Sequence, residues 1–132
     1  FKKGGKEAFI RQMIPALFSP ASKDRCSEDI KALTERALLT NNKSLIAFYN
    51  AMINRPDRSA TLRNSEGPVL WVIGADDTIA SPENLMQQTS LANVNFVYTC
   101  NGCGHMSMIE SPLELVSYIS SFAAYCYSTS RP

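Results

Sequence analysis

Two runs decide how this chain is read: Pro68-Val69-Leu70-Trp71-Val72-Ile73-Gly74-Ala75-Asp76-Asp77-Thr78 and Val94-Asn95-Phe96-Val97-Tyr98 with Gly102-Cys103-Gly104-His105 beyond it. The first is an unbroken apolar stretch ending at a glycine, as expected of a strand buried on both faces in a parallel sheet. Pro68 opens it at a position a strand tolerates. Between the runs, Pro82-Glu83 starts a helix whose apolar residues are Leu85, Met86 and Leu91, giving a β-helix-β crossover. An acid therefore follows the first strand, and the single histidine of the chain follows the second. If the strands are parallel neighbours, both turns lie at one sheet edge, where a carboxylate can hold an imidazole as a Ser-His-Asp triad requires.

Outward from this unit the pattern is helical. Downstream, Ser111-Pro112 begins a helix with Leu115, Val116, Ile119, Phe122 and Ala123 on one stripe, and Tyr127 to Pro132 carries no pattern. Upstream, Phe9, Ile10, Met13, Ile14 and Leu17 share a face between Lys6 and Phe18, interrupted by Pro15. Ser27 reads as the N-cap of a second helix, with Glu28 and Asp29 in its first turn and Ile30, Leu33, Ala37 and Leu38 on its apolar face. Asn41-Asn42 turns the chain into a third, with Leu45, Ile46, Tyr49 and Met52, which ends before Arg55-Pro56. Residues 1–54 are thus expected to form an all-helical subdomain. Residues 55–67 are a polar connection with at most a short helix around Ser59 to Leu62, in which Asp57 and Arg58 are candidates for pinning the helices to the sheet. Residues 68–132 are the β-α-β-α portion.

Bulk properties narrow the function. The chain has 132 residues, 45% of them hydrophobic and 19% charged, and a net charge of +1. That charge argues against nucleic acid as a partner, since phosphate binding needs a concentrated basic field. No apolar run approaches the roughly 20 residues of a membrane span. Phe1-Lys2-Lys3 drops almost directly into helical periodicity without an initiator Met, and the chain is expected to be cut from something longer. Of the four cysteines, Cys100 and Cys103 form a CxxC that, with His105, is a candidate zinc or redox set, but no second pair completes it. The expectation is reduced cysteines in a cytoplasmic protein, with no metal or cofactor.

The run P-V-L-W-V-I-G-A-D-D-T-I-A-S-P-E followed by G-C-G-H-M-S-M-I-E-S-P closely resembles the C-terminal half of α/β-hydrolases. The resemblance covers Pro68 to about Phe122 by specific motifs and Phe1 to Asn54 in general character, as a helical cap. It implies an α/β fold, a parallel β-α-β-α unit preceded by a cap, and no cofactor or metal. The family pattern G-x-x-D falls on Gly74 to Asp77 and makes Asp77 the triad acid. From the residues alone Asp76 reaches equally well, and the aspartate not used is expected to cap the following turn. His105 is similar to the family's general base, with Gly102 and Gly104 letting the backbone turn sharply. By this resemblance Asp77 holds Nδ1–H and leaves Nε2 to move the proton of a nucleophile. No G-x-S-x-G occurs in the sequence, so the nucleophile, whether Ser, Asp or Cys, is expected outside this chain, as are the oxyanion donors.

The function implied is hydrolysis of an ester or similar bond in a small-molecule substrate with an apolar part, some cap aromatics and methionines lining its pocket. The rival readings are a non-catalytic interaction module, which would leave Asp77 and His105 apart or mispaired, and a Cys/His metal or redox protein. A two-stranded parallel unit exposes an apolar edge, so association with a second copy by domain swapping, or with a missing N-terminal half, is expected.

Overall fold

The computed structural model describes residues 5–129, and the readings made for residues 1–4 and 130–132 lie outside it. In chain order the elements are α1 (Gly5–Ala16), α2 (Ser27–Leu38), α3 (Asn42–Ile53), α4 (Ser59–Arg63), β1 (Val69–Gly74), α5 (Pro82–Thr89), β2 (Asn95–Cys100), α6 (Ser107–Glu110) and α7 (Pro112–Thr129). This is an α/β arrangement in which, among the described residues, no strand precedes Val69.

Helix α1 runs through Pro15 and stops one residue later. Pro15 has no N–H to offer the Arg11 carbonyl, and the helix does not continue past the next residue. Ile10 and Ile14 of α1 are buried, as is Phe18 just beyond it, and α1 packs against α2. Lys6 of α1 donates through Nζ to the carbonyls of Leu38 and Thr40 at 2.7 and 2.9 Å, a cation on the carbonyl end of α2. The N-cap position of α2 is Cys26, which makes no side-chain capping bond, and not Ser27, which is the first helical residue. Asn41 caps α3 through Oδ1, accepting from the Ser44 N–H at 2.8 Å. Asp57 turns out to serve α4 locally, accepting from the N–H and hydroxyl of Ser59 at 2.8 and 2.6 Å. It does not reach the sheet.

β1 and β2 pair in parallel from Val69↔Asn95 to Gly74↔Cys100. Trp71 Nε1 donates across the pair to Asn95 Oδ1 at 2.8 Å and fixes that register with a side chain. Along each strand, residues two apart share a face. The Leu70 and Val72 face, with Phe96 and Tyr98 beside it, meets α7. There Phe96 packs against Phe122 and Tyr125, and Tyr98 stacks on Tyr118 at 3.8 Å between ring centroids. The expected burial of β1 on both faces is only partly realised: Ile73 and Gly74 are buried, while Val69 to Val72 are intermediate. The sheet of the described residues has two strands, too few to cover a strand that the sequence has prepared for a sheet interior.

Three further boundaries differ from the sequence reading. β2 continues to Cys100, α5 stops at Thr89 and leaves Leu91 in the following turn, and an extra short helix, α6, precedes α7. The α7 stripe is also half open, since Val116 and Ile119 are exposed. Among the described residues no helix is long and apolar enough to cross a membrane.

Candidate active site

The end of β1 lies against the His105 loop because Gly74 carries no side chain to separate them, and that loop lies against the α1–α2 connection because Gly104 carries none. A Cβ at Gly74 would collide with the Gly104 carbonyl oxygen and stand 2.8 Å from that of Cys103. A Cβ at Gly104 would lie 2.7 Å from Ser19 N and 2.8 Å from Leu17 O. Gly104 is therefore required by close approach, whereas the sharp turn itself is made by Gly102 at φ 68°. Backbone bonds then lace the turns together: Ala75 N–H to Cys100 O and Asp76 N–H to Cys103 O, both 2.9 Å.

Asp77 and His105 are brought into direct contact. His105 Nδ1 lies 2.8 Å from Asp77 Oδ2. The carboxylate's other oxygen, Oδ1, accepts the N–H groups of Ile79 and Ala80 at 2.8 and 3.0 Å. One aspartate thus both caps the turn and holds the ring. Asp76, expected to take the capping role, is exposed instead. Asp77 itself is 8% exposed. Burial pushes its carboxyl up, but the Ala80 N–H, the His105 ring and the Ile79 N–H together hold it below the usual carboxylate range. An ionised carboxylate has nothing to donate, so the proton in this contact sits on Nδ1. The His105 side chain is 42% exposed, and its backbone N–H donates to Leu17 O at 2.7 Å.

A cavity of about 450 Å³ lies beside the pair, lined by Val72, Asp77, His105, Met108, Leu115 and Ile119 among others. A broader groove of about 670 Å³ runs past the acid turn, between Pro20, Ala21, Asp76, Thr78 and Ser81. The lining of the first is largely apolar, which suits an uncharged substrate portion or a covering apolar element. A smaller hollow of about 270 Å³ between β2 and α7, at Phe96, Tyr98 and Phe122, is not lined by either member of the pair.

Cys100 and Cys103 are joined by a disulfide, which corrects the expectation that both are reduced. The turn through Asn101 and Gly102 brings their Cα atoms to 5.5 Å, within the range a disulfide spans. With their sulfurs bonded to each other, they do not form the Cys/Cys/His thiolate set considered from the sequence.

Glu110 is the residue that the sequence reading did not single out. It is 4% exposed and receives donors from both the α1–α2 connection and the loop around His105. The only local hint is an acid beside the neutral Ser107-Met108-Ile109 turn; its donors Ser19 and Ser22 lie 91 and 88 residues away.

Solved structures similar to this chain include hydrolases. An esterase from Thermogutta terrifontis superposes with a TM-score of 0.84 at 21% identity, over 94% of this chain and 46% of its own. An esterase from Rhodococcus sp. ECU1013 gives 0.76 at 23%, over 91% and 42%. An α/β hydrolase enzyme from a Medee basin deep-sea metagenome library gives 0.73 at 19%, over 89% and 44%. Neither a protein-family model nor a curated protein matches the chain. This chain has part of the α/β-hydrolase fold. It spans under half the length of those structures.

Proposed function

We propose that the chain is the acid-and-base portion of an α/β-fold hydrolase that cleaves an ester or similar bond. The observation that carries this is the 2.8 Å contact between His105 Nδ1 and a buried, ionised Asp77. In the proposed mechanism Asp77 fixes the ring and its tautomer and stabilises the imidazolium formed during reaction. Nε2 accepts the proton of a nucleophile and later returns it to the leaving group. The nucleophile and the oxyanion donors come from a segment outside residues 1–132, and α1–α3, within residues 1–54, act as the cap over the site. The substrate is a small molecule with an apolar part, seated toward the apolar cavity beside His105.

The interaction-module reading expected Asp77 and His105 to be apart, so the contact favours hydrolysis over it. The proposal keeps the protein in the cytoplasm, which requires the Cys100–Cys103 disulfide to be reduced in the cell. A Cys100–Cys103 disulfide found intact in freshly lysed, thiol-blocked cells would move it to an oxidising compartment.

The test is turnover of p-nitrophenyl esters by the protein isolated from its source, its intact mass recorded beside that of residues 1–132. Asp77→Asn is expected to lower kcat by about ten-thousand-fold, and His105→Ala by about a millionfold. A source protein of the same mass as residues 1–132, without turnover, would hand the case to the interaction module.

A further inference from the structure

Two carboxylates sit at this site, and only one touches the imidazole. Glu110 Oε1 accepts from Ser19 N–H at 2.8 Å, from the Ser22 hydroxyl at 2.6 Å and from Gly104 N–H at 3.0 Å. Its Oε2 accepts from Gly104 N–H at 2.8 Å and Met106 N–H at 3.1 Å. Gly104 and Met106 are the residues on either side of His105. Ser19 and Ser22 belong to the connection between α1 and α2, and both are fully buried. The same connection grips the loop twice more, through Leu17 O on the His105 N–H and through the Ser19 hydroxyl on Gly102 O at 2.6 Å. Arg25 Nη1 donates to the Glu110 carbonyl at 3.0 Å and closes the arrangement from α2's side.

A buried carboxylate is costly unless its lone pairs are filled. Here four donors fill them. Burial pushes the Glu110 carboxyl up, but the Ser22 hydroxyl and the N–H groups of Ser19, Gly104 and Met106 outweigh it and hold the group below its ordinary range. The charge is therefore present at neutral pH and directed at peptide groups. A ring carried on the peptide between two such anchors has little freedom to slide away from Asp77, and displacements of about 1 Å are enough to cost a reacting group about a hundredfold.

We infer that Glu110 is a positioning residue: by tying the Gly104–Met106 backbone to the Ser19–Ser22 turn, it holds the His105 imidazole on Asp77. Its consequence for catalysis rests on the hydrolase reading above, but the positioning is measurable without turnover. It also makes the α1–α2 connection part of the site, so that the helices fix the base as well as cover it.

Because the chain has one histidine, ¹⁵N-histidine labelling gives a single pair of ring nitrogens, whose NMR shifts report the ratio of Nδ1–H to Nε2–H tautomers when the ring is neutral. In residues 1–132 the Nδ1–H form is expected to dominate, and Asp77→Asn sets the unsupported reference. Glu110→Gln removes the charge and puts an amide donor among N–H donors, and should lower the ratio by about tenfold toward that reference. Loss of stability in Glu110→Gln with the wild-type ratio retained would overturn the inference, since that is what a merely structural residue would do. If Glu110→Gln does not fold, Ser22→Ala decides, because it removes one donor and keeps the carboxylate. A fall of about twofold or more supports positioning, and an unchanged ratio overturns it. A dominant Nδ1–H form in a source protein without esterase turnover would sink the hydrolase reading and leave this one standing.

Discussion

Gly74→Ala is expected to break the site from a position that carries no functional group. The added methyl would meet the Gly104 carbonyl oxygen, Cys103 O at 2.8 Å and Gly104 C at 2.9 Å. All three are backbone atoms, so no side chain can swing aside, and the end of β1 must part from the His105 loop. Overpacking of this kind costs about 1–3 kcal/mol, and the upper end applies to a backbone collision. Parting the strands also weakens the Ala75-to-Cys100 and Asp76-to-Cys103 bonds, at about 1 kcal/mol each. The sum is about 4–5 kcal/mol. With a urea m-value of about 1.5 kcal/mol/M, the unfolding midpoint should fall by about 3 M, or the cooperative transition should vanish. Gly67→Ala is the control, because nothing lies within 4 Å of its added Cβ and its φ is not positive. It should leave stability unchanged or raise it by up to about 1 kcal/mol through the unfolded chain. The same two variants, followed by fluorescence of the single Trp71, supply the whole measurement. A Gly74→Ala midpoint within about 0.3 M of wild type would show that the strand ends are not interlocked, and the account of how Asp77 and His105 meet would fall with it.

Acid stability should depend on both buried carboxylates. Asp77 and Glu110 have folded pKa values below their ordinary ones, so below about pH 4.3 the unfolded chain binds more protons than the folded one. Their contribution is full above that pH and is lost as pH falls through the folded values; urea midpoints measured from pH 6 to pH 2.5 should drop steeply at the acid end. Glu110→Gln should flatten that drop while lowering stability at pH 6, and an unaltered slope would refute the assignment. Asn41→Ala removes the α3 cap bond at an exposed position and is expected to cost about 1 kcal/mol by the same denaturation assay, with the His105 tautomer ratio unmoved.

Much of this was written in local pattern. The period-2 and period-3.6 runs, the glycine ending β1 and Pro82 opening α5 are short-range signals, and they place the strands, the crossover and the two turns. They also bring an acid and a histidine to one sheet edge, because parallel neighbours must both end there. Asp76 and Asp77, one residue apart, differ only in which carboxylate the turn draws inward, and the Ile79 and Ala80 N–H groups decide that in favour of Asp77. Local propensity also misled at Ser27, where a good capping residue sits inside the helix while Cys26 occupies the cap position without bonding.

What the amino-acid sequence by itself determined is which residue types stand at the ends of which elements, since that follows from spacing along the chain. Tertiary structure alone decided the rest. Gly104 is a glycine because Leu17 and Ser19 press against it, the CxxC closes on itself because the turn halves the distance between its ends, and Glu110 is a hub because donors from residues 19 and 22 converge on it. A carboxylate's partners are chosen by what folding brings within 3 Å, and no periodicity records a meeting between residues about ninety apart.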